Sequence, residues 1–191
     1  MRRKLTMVMA TVALIAAAAA RAEDAKVTGF RGDLLANLDD AAGKVVELAE
    51  AIPAEKYSWR PGEGVRSVGE VFTHIAGSNY FLLGFAGIKA PAGMGPEDAL
   101  DKETDKAKII AALKTSYDFT RDAIRKASDS DMDTKMKLPW AEMSKRSILL
   151  LTVTHSHEHL GQQIAYARSN GIVPPWTARE NAAAAAAKKG S

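Results

Sequence analysis

Apolar side chains return every three or four positions along four separate stretches of the chain, and the alternation that marks a half-buried strand is nearly absent. This pattern predicts an all-α protein. The first stretch covers residues 26–51, with Phe30, Leu34, Leu38, Ala41, Val45, Leu48 and Ala49 along one side, and it breaks at Pro53 and the turn Trp59-Arg60-Pro61-Gly62. Ser67-Val68-Gly69-Glu70 then has the S-x-x-E form of a capping box, in which the hydroxyl accepts the Glu70 backbone N–H and the glutamate reaches back to the cap. A helix is predicted from there to Gly84 or Gly87, with Val71, His74, Ser78, Phe81, Leu82 and Phe85 on its stripe. Residues 89–95 read as a loop. A third helix is predicted over residues 100–128, carrying Ile109, Ile110, Leu113, Tyr117 and Ile124. The acidic DSDMD and the Pro139-Trp140 pair read as an irregular connection, and the last helix is predicted over residues 144–170. Gly171 suits the left-handed residue that follows a helix end, and Pro174 and Pro175 prevent its continuation. Four such helices predict a four-helix bundle of the up-down type, with one irregular connection before the last helix.

The two ends lie outside this periodicity. The start, MRRKLTMVMATVALIAAAAARAEDAK, has a basic tip, a short apolar run and Ala20-Arg21-Ala22, the layout of a secretory signal peptide cleaved near Ala22. The apolar run is shorter than the roughly 20 residues that a membrane anchor needs. The expectation is therefore a leader over residues 1–22, one domain over residues 25–178, and an alanine-rich low-complexity tail over residues 179–191 that is helical or frayed. It follows that the mature protein is periplasmic or secreted.

Charge and cysteine content then narrow the chemistry. The formal net charge is +3, but Arg2, Arg3, Lys4 and Arg21 all lie in the leader, where there is no acidic residue, so the remainder carries −1. The basic balance belongs to the leader and supports no nucleic-acid partner. After leader removal nothing points to a membrane partner either. With no cysteine there is no disulfide, no thiolate nucleophile and no sulfur ligand, so any metal must be held by nitrogen and oxygen.

Three of the four histidines fall within five positions, in the stretch THSHEHLGQQIAYARSNG. At about 100° per residue, His155 and His159 share a face one turn apart, while His157 points roughly 200° away from His155. Ile148, Leu151, Gln162 and Tyr166 lie in the same arc as the pair, so the pair belongs to a core-facing stripe. His157 sits among Leu149, Leu150, Val153, Leu160 and Ile164, where packing or a subunit contact is expected. Buried imidazoles need partners, and a hydrogen-bonded core pair is one solution. His74, centred on another helix, offers a second: three nitrogens around a divalent ion with a position left open. Imidazole suits zinc, nickel, copper and iron alike. Glu158 and Gln162 are the candidate catalytic helpers, Glu158 as a general base or beside a ligand, Gln162 toward a ligand or bound water. Surface pairing of Glu158 and a polar core role for Gln162 stay open. Met132, Met136 and Met143 read as gap fillers rather than copper ligands.

Trp59-Arg60-Pro61, SVGEVFTHIAGSNYFLL, the long third helix and HSHEHLGQQIAYARSNGIVPPW together resemble the DinB-like superfamily of bacterial metal-binding four-helix bundles, over about residues 28–177. The resemblance implies that His74, His155 and His159 are metal ligands and that His157 is not. It also implies a divalent ion such as zinc or nickel, frequent homodimers and, in some branches, thiol-dependent transferase or isomerase activity. An export leader departs from the branches that use a cytoplasmic thiol. The expected function is an exported divalent-metal protein, a hydrolase or group transferase on a small molecule, with a non-catalytic metal- or ligand-binding protein as the alternative.

Overall fold

The computed structural model describes residues 27–92, 94, 100 and 102–189. The predicted leader lies outside them. Among the described residues there are five α-helices: α1 (Gly29–Ala51), α2 (Val68–Phe85), α3 (Lys106–Lys126), α4 (Lys145–Ser169) and α5 (Pro175–Lys189). A two-stranded hairpin of β1 (Lys135–Lys137) and β2 (Glu142–Ser144) precedes α4. None of these helices is long and apolar enough to cross a membrane.

Each helix begins and ends where backbone chemistry requires it. α1 buries Leu34, Leu38, Ala41, Ala42, Val45, Leu48 and Ala49, and it stops at Ile52, which is extended (ψ 123°) because the residue before a proline disfavours helical geometry. α2 opens with the complete capping box: Ser67 Oγ accepts from Glu70 N, and Glu70 Oε2 accepts from Ser67 N at 2.6 Å. α3 starts at Lys106, later than residue 100, because Asp105 caps it by accepting from Lys108 N at 2.9 Å. α4 closes as its sequence predicts. Gly171 takes φ +75°, and Gly171 N and Ile172 N donate to the carbonyls of Arg168 and Ala167, the paired bonds of a Schellman motif.

The connection before α4 contains regular structure that was expected to be irregular. Met136 pairs with Met143 across an antiparallel hairpin, and Leu138 N closes the turn onto the Ala141 carbonyl at 2.8 Å. Beyond α4, the two prolines end that helix, but Pro175 opens another, where its missing N–H costs nothing. Residue 178 falls inside α5. The alanine run is helical, as its high propensity favours, and Arg179 fastens it to Glu47 of α1.

Contacts fix the helix directions. Arg31 reaches the Arg125 carbonyl and Asp129, Arg121 meets Asp39, and Lys114 meets Glu50, so α1 and α3 run antiparallel. Asn79 bonds Ser116 and Tyr80 packs on Phe119, while Gly69 lies against Ile109, so α2 and α3 run parallel. Gln163 bonds the Val68 carbonyl and His74 meets His155 and His159, so α2 and α4 run antiparallel. The four-helix bundle is as expected, but it runs up, down, down, up rather than in the expected up-down alternation, because α2 and α3 are parallel, with α1 and α2 both packed between α3 and α4. Phe85 at the end of α2 and Lys106 at the start of α3 therefore lie toward opposite ends of the bundle.

α2 is buried on nearly every side. Its stripe differs from the expected one at Phe81, which is 39% exposed and packs with Phe85 and with Trp140 of the hairpin turn. Val71, Ser78 and Leu82 of the expected stripe are buried, and so are Phe72, Ile75, Ala76, Asn79 and Leu83 on the other sides of the helix.

Candidate metal centre

The two helices that carry the imidazoles are held in register from the α2 N-terminus. The segment between α1 and α2 folds onto the first turn of α2, where Val68 N donates to the Trp59 carbonyl and Gly69 N to the Tyr57 carbonyl at 2.8 Å. Gly69 permits this approach, since a Cβ there would stand 3.3 Å from that carbonyl oxygen. Gln163, fully buried, donates from α4 to the Val68 carbonyl at 2.7 Å. His74 thus comes level with His155 and His159.

The three rings converge. Centroid separations are 5.0 Å between His74 and His155, 4.7 Å between His74 and His159, and 4.4 Å between His155 and His159. One nitrogen from each ring lies within 4.8 Å of the other two, and the Nε2 atoms of His155 and His159 are 3.1 Å apart. Tetrahedral zinc, with Zn–N near 2.0–2.1 Å, requires ligand nitrogens roughly 3.3 Å apart. Only a small adjustment separates these positions from a ligand set, and three neutral imidazoles are a donor set that such an ion accepts. All three rings are partly buried rather than sealed.

Electrostatics keep two of the rings neutral. His74 is pushed down to about 4, first by burial, then by the nearby Arg66 charge and by His159. His155 is likewise pushed down to about 4 by burial and by the other two rings, with Glu158 pulling weakly the other way. At neutral pH each therefore keeps one ring nitrogen with a free lone pair.

The remaining sequence candidates divide. Gln162 is part of the site: its Oε1 lies 2.8 Å from His159 Nδ1, and its Nε2 donates to the Tyr166 hydroxyl at 2.9 Å. Tyr166 in turn meets Trp59 edge to face at 5.3 Å. Glu158 is exposed, and its charge acts on His155. His157 is exposed and stays out of the cluster, as expected; the packing expected around it forms only in part, since Leu149, Val153 and Leu160 are buried while Leu150 is 46% exposed. Met132 fills the core. Arg66 had no signal in the sequence, because its proximity to the rings arises from the folding of the preceding loop.

Fold and site together define a helical bundle with a three-histidine centre able to hold a metal. The chain belongs to the DinB superfamily, whose family model matches residues 37–163. It is 27% identical over 128 residues to the uncharacterised protein YjoA of Bacillus subtilis (strain 168), covering 65% of this chain and 80% of that one. Among solved structures it resembles a DinB-like protein from Bacillus cereus ATCC 10987, with a TM-score of 0.65 and 19% identity over 74% of this chain and 93% of the other. It also resembles YfiT from Bacillus subtilis, described as a probable metal-dependent hydrolase with an unusual four-helix bundle topology, with a TM-score of 0.61 and 18% identity over 74% and 88% of the two chains.

Proposed function

We propose that this chain is an exported protein that holds a divalent ion, zinc or nickel, on His74, His155 and His159 and uses it in hydrolysis or group transfer on a small molecule. The observation that carries the reading is the convergence of three ring nitrogens from two helices within 4.8 Å. Partial exposure of all three rings favours an open, reactive site over a closed structural one. The likeness to YfiT, a probable metal-dependent hydrolase, supports the reaction class.

Such an ion, when bound, lowers the pKa of a coordinated water or polarises a carbonyl. The protein's own residues supply the rest. His74 and His155, held neutral, present lone pairs at neutral pH. The positive charge of Arg66 beside the rings favours approach of an electron-rich group. Glu158, exposed and within electrostatic reach of His155, is the group proposed to accept and return a proton.

The test is metal content of the purified chain and two variants. The parent is expected to carry about one divalent ion per chain, His74→Ala to lose it, and His157→Ala to keep it. Equal loss from both variants contradicts the site. Export, read from the first 22 residues, predicts that the protein recovered outside the cytoplasm begins at Glu23. A homodimer through the outward side of α4, where Leu150 and His157 are exposed, belongs to the same proposal; a monomer by light scattering removes it.

A further inference from the structure

The proposed metal site leaves unexplained why a turn as distant in sequence as Trp59-Arg60-Pro61 is tied so closely to α4. We infer that Gln162 is a positioning residue for His159, and that Tyr166 and Trp59 anchor it so that His159 presents Nε2, and only Nε2, as a metal-binding lone pair. This inference rests on the metal reading above for its purpose, though not for its geometry.

The argument begins with donors and acceptors. Gln162 Nε2 donates to the Tyr166 hydroxyl at 2.9 Å, which turns Oε1 toward His159 Nδ1 at 2.8 Å. An amide oxygen only accepts, so the hydrogen of His159 resides on Nδ1. Its Nε2 is then a lone pair, and it faces His155 Nε2 at 3.1 Å. A ligating histidine is commonly oriented in this way by an acceptor behind its second nitrogen. Here the acceptor is a neutral amide.

The amide would rotate freely without its own anchor. Residues 159, 162 and 166 follow each other at helical spacing, so their side chains stack along one face of α4. Tyr166 is 7% exposed and lies edge-on against the Trp59 ring at 5.3 Å and 78°. Trp59 is fixed by backbone bonds, its N–H to the Lys56 carbonyl and its own carbonyl to Val68 N, at the start of the helix that carries His74. Arg60 extends the tie by bonding the Val65 carbonyl and Glu70. The same turn therefore steadies the first turn of α2 and, through Tyr166 and Gln162, the His159 ring.

Two measurements test this on the full chain. In the first, metal-free protein is examined by long-range nitrogen–proton NMR of the histidines. His159 is expected as the Nδ1–H form in the parent and as a mixture of forms in Gln162→Met, which keeps length but removes both polar atoms. His159 found as the Nε2–H form in the parent overturns the inference. In the second, zinc or nickel ions alone are titrated against a chelating indicator. Gln162→Met is expected to weaken binding about 10–100-fold at unchanged helical content. Gln162→Glu is expected to restore it, because a carboxylate accepts from Nδ1 while the Tyr166 hydroxyl reverses to donate. Tyr166→Phe should show a smaller loss. Metal affinity in Gln162→Met equal to the parent also overturns the inference. If the parent takes up neither ion, the metal reading fails, and the NMR result still decides the role of Gln162.

Discussion

Two imidazoles whose pKa values stand near 4 make the protein sensitive to acid even without metal. In the unfolded chain a histidine titrates near 6.5, while His74 and His155 in the folded chain are held down to about 4, chiefly by burial. Between those values the unfolded chain binds more protons, so folding stability is complete above about pH 6.5 and declines as pH falls toward 4. Thermal unfolding of metal-free protein should show this decline, and His74→Ala should make it shallower; an unchanged slope contradicts the burial argument. The facing of His155 and His159, and the exclusion of His157, were legible because they depend only on helical rotation. The bond from Gln162 to His159 was not. Rotation places the two on one face, but which polar atom turns toward which ring depends on Tyr166 and Trp59, and Trp59 comes from a segment about a hundred residues earlier.

Glycine shows how one residue type acts oppositely in different elements. Gly171 ends α4 at φ +75°, while Gly43 lies within α1, and neither has an atom within 4 Å of where a Cβ would stand. Gly171→Ala is expected to cost about 1 kcal/mol for the left-handed backbone, whereas Gly43→Ala should stabilise by about 0.5–1 kcal/mol. Denaturant unfolding of the two variants checks both signs. Ser67→Ala, which removes the cap of α2, should cost about 1 kcal/mol. These signals were readable because S-x-x-E and a glycine after an apolar run act locally. The start of α3 was misplaced because apolar spacing continued back past Asp105, whose capping bond decides the boundary. The hairpin escaped notice because strands of three residues, KMK and EMS, are too short for alternation to register. Phe81 was assigned to the core from spacing alone, although it is 39% exposed and stacks on Trp140, whose place the helix period could not show.

Periodicity established that four helices bury a common interior, but it carries no information about their directions. The order up, down, down, up emerges from pairs such as Arg31 with Asp129 and Asn79 with Ser116, which join residues remote in sequence. That order sets α2 antiparallel to α4 and brings His74 level with a histidine pair located one turn apart. Because the three rings come together only in the folded chain, metal binding must stabilise it: at a free ion concentration a hundredfold above the dissociation constant, unfolding should become harder by about 2.7 kcal/mol. The proposed reaction depends on the occupied centre being real. X-ray absorption on the zinc- or nickel-loaded chain examines it directly. Three imidazole nitrogens near 2.0–2.1 Å with oxygen completing the shell is the result expected, and a spectrum lacking imidazole scattering, or a chain that retains no ion, contradicts it.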